Sequence, residues 1–331
     1  MDIAGIQQHL RQLVNDLERN AHPTLGQLIQ NAYFHRHWFT VGEIRRRLQA
    51  MLHFIDTPAF FDQYAQLAPI SHPCRIAFYA EENIPLEELF TLISLLNLGH
   101  EVQYKGVASA DKVLRWIMEF LQQQHVFQGK IRFVEEQFQH FDKLILATRF
   151  PWPEKSRRML YQKHDVLEIT RYQSVAVIPS LCTDDQLQRL VDDIFCYFGM
   201  GCGNVRKIYI PKDFDFDVFF KVAETWYETM FNHHTYMNNY QYYQSIYLMN
   251  RIPHLDNGFL LLKEDNQFRS PTGVIYFEYY VDELAIREHL QNATQVYRVY
   301  VADPVLPREI SFGESVNQLF LPQEDVIAFA R

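Results

Sequence analysis

The stretch that decides the fold is Ser174–Pro211, SVAVIPSLCTDDQLQRLVDDIFCYFGMGCGNVRKIYIP. Its apolar start predicts a buried strand over 174–178. Thr183 is a candidate cap for a helix over 183–196, because apolar residues recur there at helical spacing. The segment Arg206–Ile210, RKIYI, predicts a second strand. The stretch therefore predicts a strand, a helix, a glycine-rich turn and a strand in that order.

The turn Phe198–Asn204, FGMGCGN, places Cys202 among three glycines. Glycine permits positive φ and close backbone approach, so a cysteine here can meet a substrate carbonyl, with backbone N–H groups nearby for an oxyanion. A thiolate suits this chemistry because it is nucleophilic near neutral pH and leaves well from a thioester. Cys202 can equally be a small buried residue beside a tight turn, and local chemistry alone leaves both interpretations open.

Upstream of this stretch, short apolar runs alternate with helical patterns, which is typical of a parallel sheet in a Rossmann-like domain. We place this domain at residues 69–178. Its helices are predicted over 84–98, 109–123 and 156–163, with Gly99 ending the first in a left-handed conformation. Its strands before 174–178 are predicted over 75–79, 101–105, 130–134 and 143–147.

The remaining segments complete an α/β fold. Residues 1–68 read as an N-terminal helical segment, in which Thr40 caps a helix over 41–55. The run Arg45-Arg46-Arg47 on that helix is interpreted as a solvated face. An α/β domain carrying Cys202 is predicted over 179–297, and 298–331 as a C-terminal return segment or tail.

Composition excludes several classes of protein. The 331 residues include 31 Lys+Arg and 40 Asp+Glu, a formal net charge of -9, which argues against a general nucleic-acid binder. No apolar run reaches about 18 residues, so no membrane span is expected. The four cysteines form no CxxC pair and the start lacks a secretory pattern, so we expect a cytoplasmic protein without a zinc or redox motif.

The order of elements around Cys202 resembles the core of the aldehyde dehydrogenase superfamily, and more closely its LuxC-like acyl-CoA reductase branch. The resemblance covers roughly residues 30–320 and includes a Rossmann-like cofactor domain beside an α/β domain with a reactive cysteine. Its specific parts are the cysteine turn and the segment HHTYMNNYQYYQS. The matching pieces outside the cysteine stretch are WFT at Trp38–Thr40, ENIPL at Glu82–Leu86, HHTYMNNYQYYQS at His233–Ser245 and FEYY at Phe277–Tyr280.

The resemblance implies a mechanism and partners. Cys202 would attack an acyl-CoA or acyl carrier thioester, and the Asn83 amide with the Cys202 backbone N–H would bind the oxyanion. NADPH or NADH would then reduce the acyl-enzyme to an aldehyde. Lys105 matches a ribose-contacting lysine, although a solvated strand-end lysine is an equal interpretation. A homo-oligomer is expected by fold analogy alone.

The sequence departs from that branch where a cofactor would bind. AEENIPL has Glu81 and Glu82 before the asparagine, and two carboxylates there would repel a phosphate. The turn TRFPWPEKS over 148–156 replaces a Gly-Ser turn with two prolines and a tryptophan, which removes N–H donors from a phosphate cradle. We assign Arg149 as a candidate phosphate contact in a variant site. Alternatively, the cofactor site has degenerated, leaving an acyl-transfer or acyl-binding protein, or a non-catalytic partner in a complex.

Three further features of the sequence bear on its chemistry. The water-activating glutamate of hydrolytic relatives would fall near Ile169, which cannot perform that role, and this fits a thioester enzyme. His233 and His234 point about 100° apart on a helix and lack an obvious third ligand, so a structural or pocket-lining role is preferred to a metal site. The tyrosines after them are interpreted as core residues or as the lining of an acyl tunnel: Tyr236, Tyr240, Tyr242, Tyr243 and Tyr247.

Overall fold

A computed structural model describes most of the chain. The described residues are 3–18, 21–65, 67–81, 84–106, 112–127, 129–148, 152–170, 173–315 and 323–331. They form two compact units. One is Met1–Arg171 together with Leu319–Arg331, and the other is Tyr172–Gln318.

The first unit begins with four helices, α1 (Ile3–Glu18), α2 (Pro23–His35), α3 (Val41–Ile55) and α4 (Pro58–Ala65). The Thr40 hydroxyl accepts a hydrogen bond from the Glu43 N–H at 3.3 Å, which confirms the predicted cap of α3. The interpretation of the arginine run as a solvated face is wrong for Arg47, whose side chain is fully buried. Arg47 stands three positions after Ile44 and four before Met51, so helical spacing turns it toward the same buried face.

A five-stranded parallel sheet forms the centre of the first unit. Its order is β3-β2-β1-β4-β5, and this confirms the predicted Rossmann-like domain. Its strands are β1 (Arg75–Ala80), β2 (Glu101–Lys105), β3 (Lys130–Phe133), β4 (Lys143–Thr148) and β5 (Asp165–Thr170). Its helices are α5 (Leu89–Asn97), α6 (Lys112–Gln123) and α7 (Glu154–Tyr161), and a helix from the end of the sequence, α13 (Gln323–Ala330), joins this unit.

Helix α5 differs from its prediction at one end. It begins at Leu89 rather than near residue 84, because the preceding segment turns and Leu86 has a φ of 57°. At the other end, Gly99 has a φ of 95°, as predicted for a left-handed helix terminus. Every residue of α5 is buried, which fits a helix that is apolar on all sides.

The second unit is built on a seven-stranded sheet of order β12-β11-β6-β7-β10-β9-β8, parallel except for the β8–β9 pair. Its strands are β6 (Gln173–Val177), β7 (Val205–Ile210), β8 (Leu255–Asp256), β9 (Leu261–Glu264), β10 (Val274–Tyr279), β11 (Val296–Val301) and β12 (Glu309–Ser311). Its helices are α8 (Asp184–Phe195), α9 (Phe216–Ala223), α10 (Tyr227–Phe231), α11 (His234–Met249) and α12 (Glu283–Gln291).

The structure corrects two predicted domain boundaries. The strand predicted over 174–178 is β6, which pairs with β7 and β11 in the second sheet, so the first unit ends near residue 171 rather than 178. The predicted tail 298–331 is also divided. The part of β11 that falls in this predicted tail and all of β12 belong to the second sheet, whereas α13 lies in the first unit.

None of the described helices combines the length and the apolar character that a membrane crossing requires.

Candidate functional site

Cys202 lies in a turn between two rigid elements of the second unit. Helix α8 begins with a capping box, in which the side chains of Thr183 and Gln186 bond reciprocally to the backbone. The helix ends at Cys196, and β7 starts at Val205, next to β6 in the sheet. The sequence therefore predicted correctly the order of elements that positions this turn.

The backbone of the turn is strained. Tyr197, Phe198 and Gly199 have consecutive φ angles of 52°, 55° and 67°. Only glycine adopts this region readily, and each other residue held there costs on the order of 1–3 kcal/mol. Such conformations persist where the surrounding structure holds them, and they concentrate at functional sites. The strain supports a functional role for the turn.

The Asn204 side chain holds the two ends of this turn together, and it is almost fully buried. Its Nδ2 donates to the carbonyls of Asp193 at 2.8 Å and Cys196 at 2.9 Å, and it lies 3.0 Å from the Cys196 Sγ. Its Oδ1 accepts from the Gly201 N–H at 2.8 Å, and its own N–H donates to the Gly201 carbonyl at 3.1 Å. These bonds tie the end of α8 to the residue before Cys202.

Cys202 itself is 7% exposed. Its carbonyl accepts a hydrogen bond from the buried Ser174 hydroxyl on β6 at 2.9 Å. Cys202 is thus held by Ser174 through its backbone and by Asn204 through its neighbour Gly201. All four cysteines are described, and none of them forms a disulfide.

The histidine segment singled out in the sequence reaches this turn. The His233 ring stacks on Phe198, with ring centroids 3.9 Å apart, and its Nδ1 accepts from the Tyr236 N–H at the start of α11. His234 is exposed. The described residues contain no cluster of three or more His, Cys, Asp or Glu side chains placed to hold a metal. His233 therefore supports the strained part of the turn and caps a helix.

The tyrosines of α11 divide between core and surface. Tyr236, Tyr240 and Tyr247 are buried, whereas Tyr242 is exposed. The Tyr240 hydroxyl donates to the Asp256 carboxylate at 2.7 Å. The cluster therefore serves mainly as core, and its role as an acyl-tunnel lining stays a prediction.

A buried carboxylate lies behind the turn. Asp193 on α8 accepts the N–H groups of Gly313 at 2.6 Å and Ser315 at 2.8 Å, and burial raises its pKa to about 7. The Ser315 Oγ lies 3.1 Å from the Cys196 Sγ. Nearby, the fully buried Tyr300 hydroxyl has no hydrogen-bond partner among the described residues. These contacts fix the chain after β12 against the helix that leads to Cys202.

Lys105 lies at the carboxyl edge of the five-stranded sheet in the first unit. It ends β2, opposite Tyr79 of β1. Its Nζ donates to the Glu136 carbonyl at 2.5 Å and is partly exposed. An ammonium group has three donors, so Lys105 retains donors that can bind a ribose hydroxyl.

The described part of the segment before α7 packs against the five-stranded sheet. Trp152 packs in an apolar cluster with Tyr79, Leu146 and their neighbours on the sheet. Its N–H donates to Glu168 at 2.8 Å, and Glu168 also pairs with Arg157 at 2.8 Å. Ile169, near which the resemblance predicts the water-activating glutamate, is buried.

A nicotinamide dinucleotide therefore fits these residues only in part. Lys105 suits the ribose. The N-terminus of α7 does not suit a phosphate, because Pro153 occupies its cap position and Glu154 places a carboxylate in its first turn. Three residues assigned from the sequence, Asn83, Glu82 and Arg149, lie outside the described residues, so their roles stay predictions.

Sequence reasoning missed the residues that hold the cysteine turn. Asn204 had a signal, because a buried amide after Gly-Cys-Gly can satisfy several turn backbone groups at once. Ser174 and Asp193 carry no such signal in the sequence, because the residues they bond to are 28 and 120 or more residues away in the chain.

Solved structures share this fold at low sequence identity. The NAD-dependent benzaldehyde dehydrogenase from Corynebacterium glutamicum has a TM-score of 0.66 at 10% identity, with 99% of this chain and 83% of that chain covered. The succinic semialdehyde dehydrogenase from Streptococcus pyogenes, solved with NADP+, gives 0.61 at 11% identity, with 100% and 80% covered. The acetylating aldehyde dehydrogenase from Geobacillus thermoglucosidasius gives 0.59 at 11% identity, with 97% and 84% covered.

No protein-family model and no curated protein matches the sequence. Identities this low do not support the LuxC-like branch over other branches of the superfamily, and they establish the fold only. Because the alignments cover 99% and 100% of this chain, they include both the five-stranded and the seven-stranded unit. The chain therefore has the aldehyde dehydrogenase fold.

Proposed function

We propose that the protein is an acyl-CoA reductase of the acylating aldehyde dehydrogenase type, in which Cys202 accepts the acyl group. The observation that carries this proposal is the turn held by Asn204 and Ser174, which fixes one cysteine next to strained backbone. A fixed nucleophile lowers the barrier by orientation, since the entropy of placing it has been lost during folding. The acetylating neighbour supports a CoA thioester as the acyl donor.

The first chemical step is acyl transfer. The Cys202 sulfur, as thiolate, attacks the carbonyl carbon of the thioester, so a carbon–sulfur bond forms and charge moves to the oxygen. When the carbonyl re-forms, the original carbon–sulfur bond breaks and the CoA thiolate leaves and takes up a proton. Ile169, near the position predicted for the water-activating glutamate, is buried and cannot activate water, which supports a thioester route over hydrolytic aldehyde oxidation.

Reduction of the acyl-enzyme needs a hydride, which NADPH or NADH supplies in this type of enzyme. We assign Lys105 to the ribose of that cofactor, and Arg149 to a phosphate in a variant site. The poor fit of the α7 terminus means that no step of the hydride transfer is assigned to residues there.

One observation favours a second candidate function. Trp152, Pro153 and Glu154 occupy the segment that would receive phosphate. A protein with this segment and a functional Cys202 would transfer or hold an acyl group without reducing it.

Intact-mass spectrometry separates the two functions. The purified protein is mixed with acyl-CoAs of several chain lengths, and any acylated protein is then given NADPH or NADH. We expect a mass increase that Cys202→Ser abolishes, followed by its loss as aldehyde. Cys182→Ser is the matched control, because burial raises the pKa of the Cys182 thiol to about 11 and disfavours its thiolate.

The outcomes are distinct. An adduct that survives the nicotinamide chase shows acyl transfer without reduction. If no Cys202-dependent adduct forms with any acyl-CoA or acyl carrier thioester, both functions are excluded and the protein is a non-catalytic relative. The predicted homo-oligomer and cytoplasmic location are separate proposals, which sedimentation and cell fractionation test.

A further inference from the structure

A second feature of the first unit is a cavity of about 850 Å³ among helices α1, α2 and α3. Sites for small organic molecules are typically about 300–1,000 Å³, so this cavity has the size of a binding site. It contains none of the residues assigned to acyl transfer or to the cofactor.

The inner wall of the cavity is apolar. Val14 and Leu17 of α1 line it and are half-buried, and Ile29 of α2 and Leu48 of α3 are buried beside them. Val14 and Leu48 also line a narrow gap directly beyond the cavity, whose other walls are apolar side chains such as Met51 and Ile117. The cavity and this gap therefore share an apolar wall at Val14 and Leu48.

The rim is polar and carries one positive charge. Arg45 lines it together with the exposed side chains of Gln27, Gln30 and Gln49. Arg45 makes no hydrogen bond or ion pair with another described residue, whereas its neighbour Arg46 pairs with Glu43 at 3.5 Å. An unpaired guanidinium beside amide groups can bind a carboxylate through charge-assisted hydrogen bonds.

We propose that this cavity binds a long-chain carboxylate, with its apolar chain directed to the Val14–Leu48 wall and its carboxylate on Arg45. The charge of Arg45 complements such a head group, and the apolar inner wall complements the chain. The proposal does not depend on Cys202.

Fluorescence titration with cis-parinaric acid, a polyene carboxylate that fluoresces in apolar surroundings, tests it directly. The wild-type protein should bind the acid saturably. Arg45→Glu should weaken binding by about tenfold, corresponding to about 1.4 kcal/mol, and should leave binding of the uncharged methyl ester unchanged. Arg158→Glu is the matched control, because Arg158 is an exposed arginine on α7 that pairs with Glu154.

Filling the cavity gives the second arm. Val14→Trp should abolish binding of both the acid and the ester. Gln27→Trp places the same bulk at the exposed rim. It takes the place of Val14→Trp in the test if a thermal melt shows that Val14→Trp is unfolded. Cys202→Ser should leave binding unchanged.

Three results would overturn the proposal. They are absence of saturable binding by the wild type, binding that survives both tryptophan variants, and loss of binding in Cys202→Ser, which would place the probe in the acyl site. If the rim variants instead convert a dimer to a monomer in sedimentation and the probe never binds, the cavity is an interface between copies of this chain.

Discussion

The Asn204 side chain connects the cysteine turn to the end of the helix before it. It bonds to Asp193, Cys196 and Gly201, and none of these contacts reaches solvent. A truncated Asn204 would leave two buried carbonyls and one buried N–H to find other partners, at about 1–3 kcal/mol for each group left unsatisfied.

We therefore expect Asn204→Ala to lower the free energy of unfolding by about 2–4 kcal/mol and to slow acylation of Cys202. Chemical denaturation and the mass assay measure the two effects. Asn239→Ala is the control, because among the described residues the Asn239 side chain bonds only to the Thr235 carbonyl one helical turn away. Equal effects of the two substitutions would show that Asn204 does not position the turn.

A second prediction concerns Gly199, in the same turn. Its φ is 67°, and an added Cβ would lie 3.0 Å from the Ile194 carbonyl oxygen. Gly258 has a φ of 94°, but its added Cβ would meet nothing within 4 Å. The two glycines therefore share the conformational requirement and differ in the space available.

Gly258→Ala should cost about 1–2 kcal/mol, the price of a left-handed conformation for an L-residue. Gly199→Ala should cost more, because a backbone oxygen blocks the methyl group. Thermal or chemical unfolding of both variants measures the difference. Indistinguishable values would show that the turn relaxes around the methyl group.

The sequence predicted the position of Cys202 but not what holds it. Glycine spacing is a local property, so a single pass along the chain detects it. The contacts of Ser174 and Asp193 are tertiary, and they depend on which strands pair and where the chain returns after β12. No local pattern contains that information.

At the scale of elements, Asp193 links helix α8 to the segment after β12. Burial raises its pKa to about 7 from an ordinary value of 3.8, although the N–H groups of Gly313 and Ser315 partly oppose the shift. The folded protein thus binds a proton between these two pH values that the unfolded chain has released. This carboxyl group accordingly lowers stability as pH rises through that interval.

We expect the difference in unfolding free energy, wild type minus Asp193→Asn, to fall between about pH 4 and pH 7 and to level off above. Urea denaturation at a series of pH values measures it. Asp217→Asn, at an exposed position on α9, is the matched control. A flat difference for Asp193→Asn would mean that its carboxyl group ionises normally in the folded protein.

The sequence predicted whether a segment forms a helix or a strand better than it predicted which sheet that segment joins. Apolar runs and caps located most helices and strands, because burial periodicity and capping are local. The strand at 174–178 was found but assigned to the first sheet, since an apolar strand does not show which neighbours it will pair with. The start of α5 was misplaced because the turn at Leu86 has no glycine to mark it.

At the scale of the whole molecule, the first unit depends on a helix from the far end of the sequence. Lys143, the first residue of β4, donates through Nζ to the Phe329 carbonyl at 2.6 Å and lies near the Ala330 carbonyl at 3.4 Å. Its ammonium group also lies 5.2 Å from the centre of the Phe329 ring. A cation at a helix C-terminus satisfies its last carbonyls and complements its dipole.

Lys143→Met should release α13 and loosen α5, which α13 contacts. Hydrogen exchange should show the opening free energy of these helices falling by about 1.5–3 kcal/mol, the value of a hydrogen bond to a charged group. Exchange in β7 of the other unit should stay unchanged. Lys130→Met is the control, because Lys130 also begins a strand of this sheet and is exposed. Unchanged exchange in α13 would show that the apolar contacts alone hold it.

The division of the chain has a consequence for its synthesis on the ribosome. The second unit is one continuous segment, whereas the first is interrupted by it and completed only by α13. Domains generally fold as they emerge, from the N-terminus onward. Here most of the first unit emerges before the second unit, but α13 emerges only after it. Helix α5 is therefore without its α13 partner during most of elongation. The nascent chain is most exposed to chaperones and proteases in that interval.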